Sequence, residues 1–183
     1  MPKVVASREQ WLQHGLETFA RGGDESLVVE KMAAALGSSK SSFYWYFGNR
    51  DNFVRLIVET WRERATLQVI RTSEIERSAD ERLRSLLTAM FSATRLGDFL
   101  FFLRRLSLKE PEYVATLEEL ERSRVSFAGG LFEAIGYPKE EAERKAWLLY
   151  HYYLGWYERH KHEEQGEANV ERHVRTVLSA WLG

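Results

Sequence analysis

The chain has 183 residues, of which 44% are hydrophobic and 29% charged, a composition typical of a globular protein that can bury a core. It contains no cysteine, which excludes disulfides, thiolate metal ligands and a cysteine nucleophile. Its N-terminus lacks the apolar core of a signal peptide, and no apolar run is long enough to span a membrane, so we expect a cytoplasmic protein.

The formal net charge of −1 argues against a broad basic surface for nucleic acid. Residues 1–50 carry six basic and five acidic residues, a net charge of +1. If this part of the chain binds DNA, a few well-placed cations must therefore supply the attraction.

Apolar residues recur at helical spacing along almost the whole chain, so we predict an all-α protein with about nine helices. The first helix begins after Ser7, because Ser7-x-x-Gln10 has the pattern of a capping box, and it ends near Gly22. The second helix is predicted to follow Ser26 and to end before Gly37.

The third helix is predicted over residues 40–47, closed by Gly48. Asn49 is the expected N-cap of a fourth helix that continues to about residue 72. Prolines and glycines mark several of the later boundaries. Five further helices are predicted over 79–95, 98–108, 111–135, 138–164 and 167–182.

Five consecutive aromatic residues, from Phe43 to Phe47, lie in the predicted third helix. Such a run covers more than a helical turn, so its rings cannot all face one core. The second and third helices are joined by the tight turn Leu36–Ser39, which is typical of a helix-turn-helix motif whose second helix enters the DNA major groove. We expect Phe43 and Phe47 to hold this helix in the core; the alternative is a core helix with no DNA-binding role.

The other face of the third helix is then the candidate DNA surface. Lys40, Tyr44 and Trp45 point away from the predicted core, where hydroxyl and indole groups can donate to phosphates and rings can contact thymine methyl groups. Ser39 and Ser42 add small hydroxyl groups.

The segment "LGSSKSSFYWYFGNRD", residues 36–51, resembles the N-terminal domain of the TetR family of bacterial transcriptional regulators. The resemblance is strong over about residues 7–60 and, beyond them, concerns only the number and lengths of the helices. It implies DNA contacts by Ser42, Tyr44, Trp45 and Tyr46, and a phosphate contact by Arg50. It also implies a helix-turn-helix DNA-binding domain over residues 1–50 and a helical ligand-binding and dimerisation domain over residues 51–183.

The start of the second helix departs from the family pattern. Many family members carry hydroxyl or basic residues where this chain has Leu27 to Glu30. Val29 and Glu30 match positions that lie near DNA in the family. Because phosphates repel a carboxylate, Glu30 either accepts a hydrogen bond from a cytosine amino group or turns away from DNA, and we favour the second interpretation.

Aromatic and aliphatic residues of the C-terminal part predict a site for a largely apolar, ring-containing ligand. Arg124 lies on an apolar stripe, where it either reaches out to pair with an acid such as Asp98 or holds the polar group of a ligand. His151 is either a hydrogen-bonded core residue or a second polar contact. The predicted ligand-binding residues are Trp61, Phe91, Phe102, Tyr113, Leu120, Arg124, Phe127, Trp147 and His151.

The helix predicted over 138–164 is apolar on two faces, which indicates burial on two sides. One side can face its own domain and the other a second copy of the chain, and the family resemblance likewise implies a dimer formed by the last two helices. The predicted dimer-interface residues are Leu149, Tyr152, Tyr153, Gly155, Trp156, Val174, Val177 and Trp181.

These features together predict a homodimeric repressor that binds a double-stranded DNA operator and releases it when a small effector binds. We expect no enzymatic activity, metal or cofactor, because the sequence has neither a Gly-rich phosphate loop nor a helical metal-binding pair of histidines. The alternative is a helical homodimer that acts through protein partners without binding an operator.

Overall fold

The computed structural model describes residues 6–73, 78–92, 98–160, 163 and 165–182, with the backbone alone at 65–73. The predicted all-α fold is confirmed for these residues, and none of their helices is long and apolar enough to cross a bilayer. The predicted ends of the helices over 79–95 and 138–164 lie partly outside the described residues. The described α-helices are α1 (Arg8–Gly22), α2 (Val29–Ala35), α3 (Lys40–Phe47), α4 (Arg50–Ser73), α5 (Ala79–Ser92), α6 (Phe99–Lys109), α7 (Val114–Ile135), α8 (Lys139–His160) and α9 (Glu167–Leu182).

The helices divide into two compact units. The first contains α1, α2, α3, α4 as far as Arg71, α6, and the start of α7 as far as Leu117. The second contains α5, the rest of α7 from Glu118, α8 and α9. This geometric division differs from the functional division at residue 50, which stays a prediction.

Helix α1 begins at the predicted capping box. The Ser7 hydroxyl accepts a hydrogen bond from the Gln10 backbone N–H at 3.2 Å, and the Gln10 side chain accepts one from the Ser7 N–H at 2.7 Å. On its inner face Gly15 leaves room for α4, because a Cβ there would lie 2.6 Å from the Phe53 ring. α1 and α4 therefore approach closely in the core of the first unit.

The predicted start of the second helix is wrong. The Ser26 hydroxyl donates to the carbonyl oxygens of Thr18 at 2.9 Å and Gly23 at 2.6 Å, so it closes a 3₁₀ turn over Asp24–Ser26 instead of capping a helix. Helix α2 begins three residues later, at Val29, and has no side-chain cap. A similar 3₁₀ turn, Pro111–Tyr113, precedes α7 where the sequence predicted the first helical turn.

Helix α6 packs against α1 and against the 3₁₀ turn Asp24–Ser26. The Phe99 ring lies 4.4 Å from Phe19 and stacks on Trp61 at 4.6 Å, between ring centroids. Gly23 has a φ of +69°, and a Cβ there would lie 2.7 Å from the Phe102 ring, so both conformation and space favour glycine. At the end of α6, Lys109 Nζ lies 2.6 Å from Glu25 Oε1.

The second unit has a core of its own, in which α5 packs against α8 and α9. Phe91 of α5 is fully buried there. The other buried core residues come from all four helices: Leu83, Leu87, Val125, Ala128, Leu131, Phe132, Ala142, Ala146, Leu149, Tyr150, Val170, Val174 and Val177.

Candidate nucleic-acid interface

The turn between α2 and α3 has the tight geometry that the sequence predicted. Gly37 adopts a left-handed φ of +59°, and the next residue, Ser38, donates its N–H to the Ala33 carbonyl at 2.9 Å. Ser39 then caps α3, since its hydroxyl accepts from the Ser42 N–H at 3.3 Å. α3 is thereby fixed at its first turn relative to α2.

Helix α3 separates its rings between core and solvent, and the predicted orientation of Phe43 and Phe47 is confirmed. Phe43 is fully buried and Phe47 is 3% exposed, with Phe43 centred 5.3 Å from Trp11 and 4.9 Å from Phe53. Tyr44 is 49% and Trp45 78% exposed. A short helix therefore holds an indole and a phenol in solvent on a closely packed base.

The other predicted contacts of α3 differ in their access to solvent. Tyr46 is half-buried beside Trp45, with 4.7 Å between their ring centroids. Ser42 is only 8% exposed, and its hydroxyl donates to the Ser39 carbonyl at 2.9 Å and lies 2.8 Å from the Ser38 hydroxyl. Ser39 and Ser42 thus stabilise the turn in this structure, and their contact with DNA stays a prediction.

Lys40, the first residue of α3, forms an ion pair with Glu30 in the first turn of α2. Lys40 Nζ lies 2.9 Å from Glu30 Oε1, and both side chains are more than half exposed. The hydrogen bond to Lys40 lowers the pKa of the Glu30 carboxyl, and the same bond raises the pKa of the Lys40 amine. Glu30 has a partner within the chain, which the sequence did not predict.

Arg50 binds the turn that precedes α2. Its guanidinium donates to the carbonyl oxygens of Asp24 and, at 3.4 Å, Leu27, and its Nη2 lies 3.7 Å from Asp24 Oδ2. The side chain remains 39% exposed. Arg50 therefore connects the first turn of α4 to the start of the helix-turn-helix, and its predicted phosphate contact would be an additional role.

The predicted ligand-binding residues fall in both compact units. Three lie in the first: Trp61 stacks on Phe99, Phe102 covers Gly23, and Tyr113 is 5% exposed. Burial raises the pKa of the Tyr113 hydroxyl, and the adjacent Glu112 carboxylate adds to this effect.

The remaining six lie in the second unit. Phe91 and Leu120 are buried, whereas Arg124, Phe127 and Trp147 are partly buried. His151 is exposed and stacks on the Trp147 ring at 5.6 Å between centroids, so its interpretation as a buried core histidine is wrong. Beside them, the buried Tyr150 hydroxyl donates to Glu121 Oε1 at 2.9 Å.

The predicted dimer residues separate into two groups. Leu149, Val174 and Val177 are at most 2% exposed because they pack in the protomer's own core, so their side chains are not on its surface. The remaining five keep some exposure: Tyr152, Tyr153, Gly155, Trp156 and Trp181. Leu148 is not among the predicted residues, but it is 60% exposed and lies one helical turn before Tyr152.

Aromatic and histidine rings stack between α5, α8 and α9. The Trp156 ring stacks on both His160 and His173, at 4.8 and 5.4 Å between centroids. His173 Nε2 lies 3.3 Å from the Tyr152 hydroxyl, and its ring meets Phe91 edge-on at 4.5 Å. Burial lowers the pKa of His173, and the nearby His160 lowers it further.

A tight turn, a second helix anchored in the core and an exposed aromatic face on that helix are the features of a helix-turn-helix motif. Residues 11–57 match the family model described as "Bacterial regulatory proteins, tetR family". The resemblance to the TetR family identified in the sequence is thus confirmed over this segment. No relative was found among curated proteins.

Solved structures extend the likeness of fold to almost the whole chain. A TetR transcriptional regulator from Legionella pneumophila matches with a TM-score of 0.77 and 12% identity, over 98% of this chain and 99% of that one. A transcriptional regulator from Saccharomonospora viridis, solved in complex with choline, matches with a TM-score of 0.73 and 14% identity, over 94% of this chain and 95% of that one. A TetR-family regulator from Agrobacterium tumefaciens matches with a TM-score of 0.70 and 18% identity, over 94% of this chain and 95% of that one.

Proposed function

We propose that this protein is a sequence-specific transcriptional regulator, a repressor, that binds a DNA operator as a homodimer and releases it when a small molecule binds. The observation that carries this proposal is the solvent exposure of Tyr44 and Trp45 on a helix whose opposite face is fully packed. An indole so exposed contributes little to the fold, whereas a partner that covers it would gain apolar contact. Non-enzymatic action in the cytoplasm is part of the proposal.

The test selects operator sequences from a random duplex pool and measures the affinity of variants for the selected sequence. Trp45→Ala should weaken operator binding by on the order of 1–3 kcal/mol without changing the melting temperature. Leu108→Ala is the matched control, because Leu108 is an even more exposed apolar residue, on α6. Failure to enrich any sequence would favour a helical dimer that acts through protein partners.

We assign dimerisation to the exposed face of α8. Leu148, Tyr152 and Gly155 recur at helical spacing and are exposed, which suits the two-fold packing of a helix against its symmetry-related copy. Leu148→Asp should give monomers in sedimentation experiments and abolish binding to a two-fold operator. A monomeric wild type would refute this assignment.

The effector is proposed to be a largely apolar compound with one polar group, held by Arg124 and residues near it. The S. viridis regulator, whose structure contains choline, raises a cationic effector as the competing possibility for this chain. Calorimetry with benzoate, benzamide and choline separates the two kinds of effector, since Arg124→Leu should weaken the binding of benzoate alone. A tenfold loss of operator affinity on effector binding requires about 1.4 kcal/mol of coupling.

A further inference from the structure

The first turns of α2 and α3 are joined by a solvated ion pair. Lys40 Nζ lies 2.9 Å from Glu30 Oε1, and the two side chains are 55% and 62% exposed. An ion pair this exposed is weak and exchanges readily with other ions. A phosphate that approaches Lys40 must therefore displace the Glu30 carboxylate or bind next to it.

The rest of the helix-turn-helix offers little compensating positive charge. Arg50 already donates to two carbonyl oxygens and lies near the Asp24 carboxylate. Lys31 is the only other basic residue of α2 and α3, and it directly follows Glu30. Sequence-independent DNA binding depends on cations that release counterions from phosphates, so the state of Lys40 can change it by one phosphate contact.

We propose that Glu30 competes with DNA phosphates for Lys40 and thereby limits the sequence-independent part of the DNA affinity. This inference rests on the proposed function and adds a positioning residue to its DNA surface. In free protein Glu30 holds the Lys40 ammonium group at the start of α3. On DNA the ammonium group moves to a phosphate oxygen, and the Glu30 carboxylate is left exposed to water.

The test measures binding to a random-sequence duplex by fluorescence anisotropy at a series of salt concentrations. Glu30→Gln keeps the size and helical propensity of the side chain but removes its charge. It should tighten binding by roughly two- to fivefold, the range expected for loss of an exposed ion pair. It should also steepen the slope of log affinity against log salt by up to about 0.9, the value for one neutralised phosphate.

Two further variants establish that the effect passes through Lys40. In a Lys40→Gln background, the Glu30→Gln change should have no effect on affinity or on salt slope. Glu17→Gln, which removes an exposed acid of α1 in the same unit, controls for the change in net charge and should leave both unchanged.

The inference is overturned if Glu30→Gln leaves random-duplex binding unchanged or weakens it. It is equally overturned if the gain persists in the Lys40→Gln background, because Glu30 would then act by direct repulsion of phosphate. These outcomes leave the proposed function intact. If wild type and all variants fail to bind any duplex at low salt, both the proposed function and this inference fail.

Discussion

The two compact units use their aromatic residues in different ways. In the first, α3 buries Phe43 and Phe47 but leaves Tyr44 and Trp45 exposed to solvent, with no covering element among the residues that the structure describes. In the second, rings of α5, α8 and α9 stack on one another and on His173. The number of rings is high in both units, but only the first leaves a large ring almost fully exposed among the described residues.

Ring content alone does not locate a partner surface. The apolar character of α8 placed Leu149 in a dimer interface, but Leu149 is buried in the core of its own chain. In α3, by contrast, the two exposed rings lie between two buried ones within one short helix that is anchored in the core. An exposed ring on a helix whose other face is closely packed is therefore a better indication of a partner surface than the number of rings.

The largest expected effect tests whether the two cores are equally important to stability. Phe43 and Phe91 are both fully buried, so replacing either with alanine should lower the free energy of unfolding by about 3–5 kcal/mol. Urea denaturation monitored by circular dichroism measures the loss in each variant. Phe43→Ala should also remove DNA binding, because Phe43 anchors α3. A loss below about 1 kcal/mol for Phe43→Ala would contradict the close packing of α3 against the core of the first unit.

An intermediate effect is expected at Arg50, which connects α4 to the 3₁₀ turn in the first unit. Arg50→Ala should lower the free energy of unfolding by about 1–3 kcal/mol, because it removes charge-assisted hydrogen bonds to backbone carbonyls. Arg50→Lys is the informative control, since lysine keeps the charge but lacks the planar group that reaches several acceptors. If lysine restores wild-type stability, the hydrogen bonds to the carbonyls are not what stabilises the unit.

The smallest effect concerns His173 in the second unit. Its pKa in the folded protein is lowered below 6.5 by burial, so the unfolded chain binds more protons just below this pH. The contribution of neutral His173 to the free energy of unfolding should therefore be fully present above pH 6.5 and should decrease as the pH falls below it. Thermal melts between pH 5 and 8 should show this loss, and His173→Gln should reduce it. Parallel curves for both proteins would exclude His173 as the cause.

The sequence predicted much of the fold wherever a local interaction determines a boundary. The Ser7 capping box, the limits of α3 and the Asn49 cap of α4 are all present, the last as a 2.8 Å hydrogen bond from the Asn52 N–H. The prediction at Ser26 is wrong because its hydroxyl can either cap a following helix or close the preceding turn. Only the position of the Thr18 carbonyl, eight residues away, decides between the two.

The candidate DNA site was predicted in outline, but its electrostatics were not. The orientation of Phe43 and Phe47 follows from helical spacing, and so does the exposure of Tyr44. The pairing of Lys40 with Glu30 and of Arg50 with Asp24 joins residues 10 and 26 positions apart, which no local pattern encodes. Such contacts depend on how α2, α3 and α4 pack.

The contrast between Trp45 and Trp11 has a spectroscopic consequence. Trp11 is fully buried, whereas Trp45 is 78% exposed to solvent. An indole in water emits at longer wavelength than one in an apolar core, so Trp45 should dominate the red edge of the protein's emission spectrum. Bases that stack on or near this ring would quench it, and its fluorescence would then report occupancy of α3 without any added label.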